Sequence, residues 1–144
     1  MAIFWRKVPE ALFVYGSLLF PEVIHVLLGR VPASTPAAVV GWRVAALPGR
    51  VYPALVAGEA LARGQLVTDL TSAEWRLLDA FEDDVYELRR ITLTDGGHGW
   101  AYVCADHTDA AAHDWDINTF EHDHLIDYLK RCAAWRRRYA PSAT

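Results

Sequence analysis

The sequence is poor in the residues that build most specialised scaffolds. Its two cysteines, Cys104 and Cys132, stand in no CxxC spacing, so neither a disulfide framework nor a zinc knuckle is available and a reducing compartment suits the chain. Long hydrophobic runs are missing too. The stretch from Ala11 to Leu28 is broken by Gly16, Pro21, Glu22 and His25, whereas a membrane-spanning helix needs about 20 predominantly apolar residues. The opening Met-Ala-Ile-Phe-Trp-Arg-Lys lacks the plan of an export signal, and a cytoplasmic location is the resulting expectation. Basic charge is also in deficit: 14 Lys and Arg against 18 Asp and Glu leave a net charge of -4. A polyphosphate chain would be repelled, which disfavours general nucleic-acid binding and favours small molecules as partners. No internal repeat, low-complexity tract or linker interrupts the text.

What is present is apolar content. The 144 residues are 53% hydrophobic and 22% charged, enough to offset the entropy of ordering around one core. A single domain over residues 1–144 follows, with residues 1–10 as a short lead. Leu12-Phe13-Val14-Tyr15 predicts a buried strand running into a loop at Gly16-Ser17. Pro21 suits a first helical turn, and Gly29 a C-cap, which delimits a short helix between them. β-prone runs at 37–46, 51–57 and 61–68, punctuated by Leu47-Pro48-Gly49 and Gly58-Glu59, predict antiparallel hairpins. Thr71-Ser72-Ala73-Glu74 has the form of a capping box, and Trp75, Leu78 and Phe81 make the apolar stripe of the helix it opens. Strands over 85–93 and 100–105 flank the turn at Asp95-Gly96-Gly97. A long terminal helix carries Phe120, Leu125, Tyr128, Leu129, Cys132 and Tyr139, with Asn118 or Thr119 as its cap.

Several residues carry possible chemistry. Glu82 follows Trp75 by seven positions and Leu78 by four, which turns a carboxylate toward the core-facing side of its helix. Loss of water, the negative helix end, Asp79 and Asp83 would all raise its pKa; otherwise it is a solvated helix-end acid. The Tyr15-Gly16-Ser17-Leu18 turn is either an ordinary turn or a binding loop whose backbone N–H groups close around a ligand. Ser17 lacks a Gly-x-Ser-x-Gly setting and an assignable histidine, so it is a poor nucleophile. His122 and His124 are two apart and diverge on a helix, and with His113 and their acidic neighbours they read as polar surface rather than a metal site. Arg136-Arg137-Arg138 is explained by favourable charge at a helix C-terminus. Both cysteines read as buried core thiols.

Phe13-Val14-Tyr15-Gly16-Ser17-Leu18, Tyr52-Pro53-Ala54, Gly64-Gln65-Leu66, and Leu78-Asp79-Ala80-Phe81-Glu82-Asp83 followed by Tyr86 resemble, in order and spacing, the gamma-glutamylcyclotransferase family. Trp115-Asp116 and the terminal helix are similar to its branch of avirulence-induced plant proteins and their bacterial relatives, so the likeness runs over about residues 11–139. The resemblance implies an α+β fold, a small mixed or antiparallel β-barrel, closed or nearly closed, with flanking helices. It implies a cofactor-independent, metal-free acyl transfer within one molecule: a gamma-glutamyl amide cyclises to 5-oxoproline and an amine leaves. Glu82 falls on the catalytic acid/base, and Tyr15, Gly16, Ser17, Leu18 and Tyr86 on the substrate pocket, where packing is the other role open to the two tyrosines. Leu88 departs from the family pattern, which often has an arginine there. The alternative is a non-catalytic module that binds a small acidic metabolite or a partner protein.

Overall fold

Leu12-Phe13-Val14 forms the strand β1 (Leu12–Val14), every residue of it buried. A computed structural model describes residues 10–139; residues 1–9 of the expected lead lie outside the described residues. β1 lies inside a five-stranded sheet of order β2-β3-β1-β5-β4, made with β2 (Ser34–Ala45), β3 (Ala54–Val67), β4 (Tyr86–Thr92) and β5 (His98–Cys104). It runs antiparallel to β3, with Leu12 opposite Val67 and Val14 opposite Gln65, and parallel to β5 at Trp100. Side chains alternate along a strand. Leu12 and Val14 therefore pack toward the helices, while Phe13 and Tyr15 enter a second core with Val39, Leu55, Ala101 and Val103 inside the curl of the sheet.

The shortness of β1 creates the opening on which the site is built. Past its C-terminal end β3 and β5 pair directly, Leu55 opposite Val103, and the chain must leave the sheet. The Tyr15 hydroxyl stitches this junction by donating to the Tyr102 carbonyl and accepting from the Leu55 N–H at 3.1 Å. Close approach of β1 to β3 depends on Gly64, because a Cβ there would lie 2.1 Å from the Val14 carbonyl oxygen.

Two β-sheet expectations need correction. Runs 51–57 and 61–68 are not hairpin partners: β3 passes straight through Gly58-Glu59 as one 14-residue strand. The irregularity is taken up opposite it, where the register shifts between Val40 and Trp42 around Gly41, at φ 86°. Nor is the barrel closed, since no ladder joins the edge strands β2 and β4. Among the described residues a single backbone bond, Thr94 N–H to Ala38 C=O at 2.9 Å, and Arg89 over the Trp42 ring span the gap. Pro36, without an N–H, and the shift at Gly41 interrupt the row of groups that β2 would need to pair further.

The helices begin where local chemistry directs. Helix α1 (Pro21–Leu28) has proline in its first turn and ends at Gly29, at φ 78°. Helix α2 (Ser72–Phe81) carries both capping-box bonds, Glu74 N–H to Thr71 Oγ1 at 3.1 Å and Thr71 N–H to Glu74 Oε1 at 2.9 Å. The terminal run opens as α3 (Ile117–Thr119), widens into a π-helical turn (Phe120–His124) and continues as α4 (Leu125–Arg138). Its cap is Asp116 rather than Asn118 or Thr119, because the Asp116 carboxylate accepts from the N–H groups of both. Phe120 and Leu125 are five apart, a spacing that an α-helix would splay; the wider turn brings both to the buried face with Tyr128 and Cys132. Among the described residues no helix is long and apolar enough to cross a membrane.

Candidate functional site

Six residues singled out from the sequence, Tyr15, Gly16, Ser17, Leu18, Glu82 and Tyr86, line one cavity of about 40 Å³ together with Pro53 and Tyr102. The loop arrives from β1, its last part forming a 3-10 turn over Ser17–Leu19. Gly16 lies at φ −126°, so a left-handed backbone is not what requires glycine. Contact is: a Cβ would stand 2.8 Å and 2.9 Å from two ring carbons of Pro53.

Glu82 arrives from the other side. Its N–H makes the last bond of α2, to the Leu78 carbonyl at 3.0 Å, while its own backbone is already extended. Leu78 is fully buried, and the next turn of the same face delivers the Glu82 carboxylate to the cavity. Among the described residues no hydrogen-bond donor and no cation pairs with that carboxylate. Burial, with Asp79 and Asp83 nearby, pushes its pKa up to about 8.

The surrounding hydroxyls have other partners. Tyr86 donates to the Pro53 carbonyl, Tyr102 to Asp79 at 3.3 Å, and Tyr52 to Asp83 at 2.5 Å. Burial raises the pKa of all three phenols, and that of Tyr15, so each stays protonated at neutral pH. Tyr15 and Tyr86 thus line the cavity and also brace it. Asp83 has the opposite fate to Glu82: burial works to raise its pKa, but Tyr52, Arg50 at 2.9 Å and the Val85 N–H together hold it down to about 2.

Other sequence candidates lie differently. Ser17 donates to the Tyr128 hydroxyl oxygen at 3.2 Å, and among the described residues no histidine is bonded to it. Cys132 is fully buried and burial pushes its thiol up to about 11. Cys104 corrects the expectation of a buried thiol: it is half-buried near the end of β5, with Sγ donating to the Asp106 carbonyl at 3.1 Å. Burial raises its pKa as well. His122 is exposed and bonded to Asp123 at 2.5 Å, and Arg136 donates to the Leu27 carbonyl at 3.0 Å. Sequence reasoning took Tyr128 for core alone and passed over Arg131. Both line a wider cleft of about 160 Å³ that also reaches Glu82 and Ser17. Tyr52, quoted for the family likeness without a role, lines it too. No spacing rule marks Arg131, whose place becomes visible only when α4 is laid beside Tyr52.

A curled mixed sheet that brings a glycine loop and a helix-end carboxylate to one pocket is the arrangement expected of gamma-glutamylcyclotransferase-like proteins. The family described as "Gamma-glutamyl cyclotransferase, AIG2-like" matches residues 12–117, and the chain belongs to it. AIG2-like protein D of Arabidopsis thaliana is 31% identical over 129 residues, covering 84% of this chain and 85% of that protein. AIG2-like protein C of the same plant is 41% identical over 92 residues, 62% of this chain but only 54% of its own length. A solution structure of an Arabidopsis thaliana protein superposes with a TM-score of 0.63 at 26% identity, covering 95% of this chain and 97% of that one.

Proposed function

We propose that the protein is a gamma-glutamylcyclotransferase that converts a gamma-glutamyl amide to 5-oxoproline and releases an amine, with Glu82 as general acid and base. The observation that carries this reading is the Glu82 carboxylate, which faces the glycine loop across a shared cavity and, among the described residues, has no hydrogen bond or cation to neutralise it. In its ionised form Glu82 takes a proton from the substrate's α-ammonium. The freed amine attacks the γ-carbonyl carbon, a carbon–nitrogen bond closes the five-membered ring, and the carboxyl returns a proton to the departing nitrogen as the old amide bond breaks. The second proton of the ring nitrogen then passes through the Glu82 carboxylate to the released amine, which leaves as an ammonium. A pKa near the working pH serves both transfers. The attack is intramolecular, so the pocket's task is to hold the bent conformer. Backbone N–H groups of Gly16, Ser17 and Leu18 would hold the substrate carboxylate or the developing oxyanion, with Tyr15 and Tyr86 as walls.

A non-catalytic binding module accounts less well for the site, because an unpaired carboxylate in a half-buried position is costly and brings a pure binding pocket no gain. The test is to incubate the purified protein with a panel of gamma-glutamyl compounds and measure 5-oxoproline. Turnover is expected, falling a hundredfold or more in a folded Glu82→Gln variant. Absence of 5-oxoproline with every compound, or full activity of the variant, would overturn the reading.

A further inference from the structure

Glu82 stands where three cavities meet, and the two larger ones differ in charge, because only one of them carries cations. One, of about 330 Å³, is walled by Asp79, Asp83, Asp84 and Glu87. The other, of about 160 Å³, shares Asp83 with the first and carries Arg131 and Arg138 among aromatic rings. In the proposed reaction the departing nitrogen has to lie beside Glu82 to be protonated. The rest of the departing group must then extend into one of these two clefts.

The partners already present decide which. On the acidic side the inner carboxylates are engaged, Asp83 with Arg50 and Tyr52, Asp79 with Tyr102. On the basic side the Arg131 guanidinium lies over the Tyr52 ring at 5.5 Å and the Tyr128 ring at 5.8 Å. Among the described residues no carboxylate pairs with it. Two rings therefore hold a planar cation at the wall of a cleft that ends at Glu82, where its fork meets the Tyr52 hydroxyl and, among the described residues, no carboxylate. A side chain fixed in this way has less freedom to lose when an anion arrives.

We propose that Arg131 is a specificity-determining residue that receives a carboxylate carried by the departing amine. The inference rests on the cyclisation reading and adds to it the chemistry of the departing group. Glu82 manages the protons, while Arg131, from the terminal helix, reads what leaves. A departing amine with a carboxylate is favoured over the same amine without one, and a departing polyamine would place its cation beside Arg131 and Arg138.

The experiment compares gamma-glutamyl-alanine, gamma-glutamyl-ethylamide, which lacks only the departing carboxylate, and gamma-glutamyl-putrescine. Values of kcat/KM for 5-oxoproline release are measured in the native protein, Arg131→Gln and Arg131→Lys, and affinities by titration on a Glu82→Gln background where turnover is suppressed. The native protein should prefer the alanine compound over the ethylamide by about tenfold or more, the size of one charge-assisted contact. Arg131→Gln should collapse that ratio, mainly through KM, and Arg131→Lys should restore part of it. If titration shows the Arg131-dependent preference yet no 5-oxoproline forms, the cyclisation reading fails and the anion site stands. If 5-oxoproline forms with equal efficiency from all three compounds, or putrescine is preferred, the inference about Arg131 is overturned and cyclisation stands. Loss of fold in Arg131→Gln, detected by its melting curve, moves the decision to the native ratio and to Arg131→Lys.

Discussion

In the turn between α2 and β4 one carboxylate is held by three donors, while its neighbour has none among the described residues. Asp83 faces Arg50, Tyr52 and the Val85 N–H, and its pKa is held down to about 2. Glu82, one residue earlier, faces the cavity and is pushed up to about 8 by burial and by Asp79 and Asp83. Partial burial alone therefore does not fix a carboxylate's state, since Asp83 is also shielded; the number of donors aimed at it does. The paired side anchors the turn, and its fixed negative charge helps keep a proton on the unpaired side. Separated pKa values on adjacent acids are what a proton-transfer site requires.

Removing the unpaired side has the largest expected effect. Beyond the loss of turnover, Glu82→Gln should alter the pH dependence of stability. The folded pKa of Glu82 lies above the ordinary 4.5, so its contribution favours the fold fully below pH 4.5 and is lost as pH rises through about 8, at up to about 1.4 kcal/mol per unit. The variant should lack that slope and melt higher than the native protein at pH 8. Denaturant unfolding from pH 5 to 9 checks this. Equal slopes in the two proteins would mean that Glu82 is solvated like any surface acid.

The loop opposite comes next. Gly16→Val drives a branched side chain into Pro53, which is fully buried and whose carbonyl anchors Tyr86. Affinity for a gamma-glutamyl ligand should fall about tenfold or more, and the melting temperature should fall with it. Pro53 ties the loop to the core, so both readouts move together. A variant with native affinity would remove the loop from the site.

Breaking the paired side should do less. Asp83→Asn removes one charge from an ion pair with a half-exposed Arg50 and should cost about 1–2 kcal/mol at neutral pH. Asp83 favours the fold above its ordinary 3.8, and that support is lost as pH falls through about 2; the variant should show no such loss. With the adjacent negative charge gone, the rise of activity with pH assigned to Glu82 should move toward acid by up to about one unit. An unmoved profile would uncouple the two acids.

How much of this could be read from the chain varies with the range of the interaction. The α2 capping box, the Pro21 start and the Gly29 end of α1 involve neighbours within four residues, and each occurs as expected. Gly58-Glu59 misled because a turn signal is local, whereas β3 is held straight by a register shift in β2 that only the paired strand reveals. Asn118 and Thr119 misled for a similar reason: Asp116 is the better acceptor and reaches both of their N–H groups. The helical phase of Glu82 was legible from Trp75 and Leu78. Its isolation from donors was not, since that depends on Tyr15, Tyr86 and Tyr102 bonding elsewhere. Arg131 was illegible altogether: it is 79 residues from Tyr52 in the chain, and its direction is set by that ring and Tyr128.

The smallest effect is expected at the cysteines, where burial raises a pKa, as it does at Glu82, without creating chemistry. A raised carboxyl pKa lies near neutrality and supports proton transfer, but a raised thiol pKa moves away from neutrality and removes the reactive thiolate. Cys132 is pushed up to about 11 inside the core, and Cys104 is raised while its Sγ donates to the Asp106 carbonyl. Neither lines the cavity beside the glycine loop. Cyclisation also needs no protein nucleophile, because the substrate supplies the attacking amine. Cys104→Ala combined with Cys132→Ala should therefore keep its specific activity within about twofold below its melting temperature, while losing about 1 kcal/mol, mostly at the fully buried Cys132. Alkylation discriminates further: a reagent reaches half-buried Cys104 first, and the modified, still folded protein should turn over normally. Loss of turnover in the folded double variant, or on alkylation without unfolding, would give a thiol the role assigned to Glu82 and end the contrast between the two kinds of raised pKa.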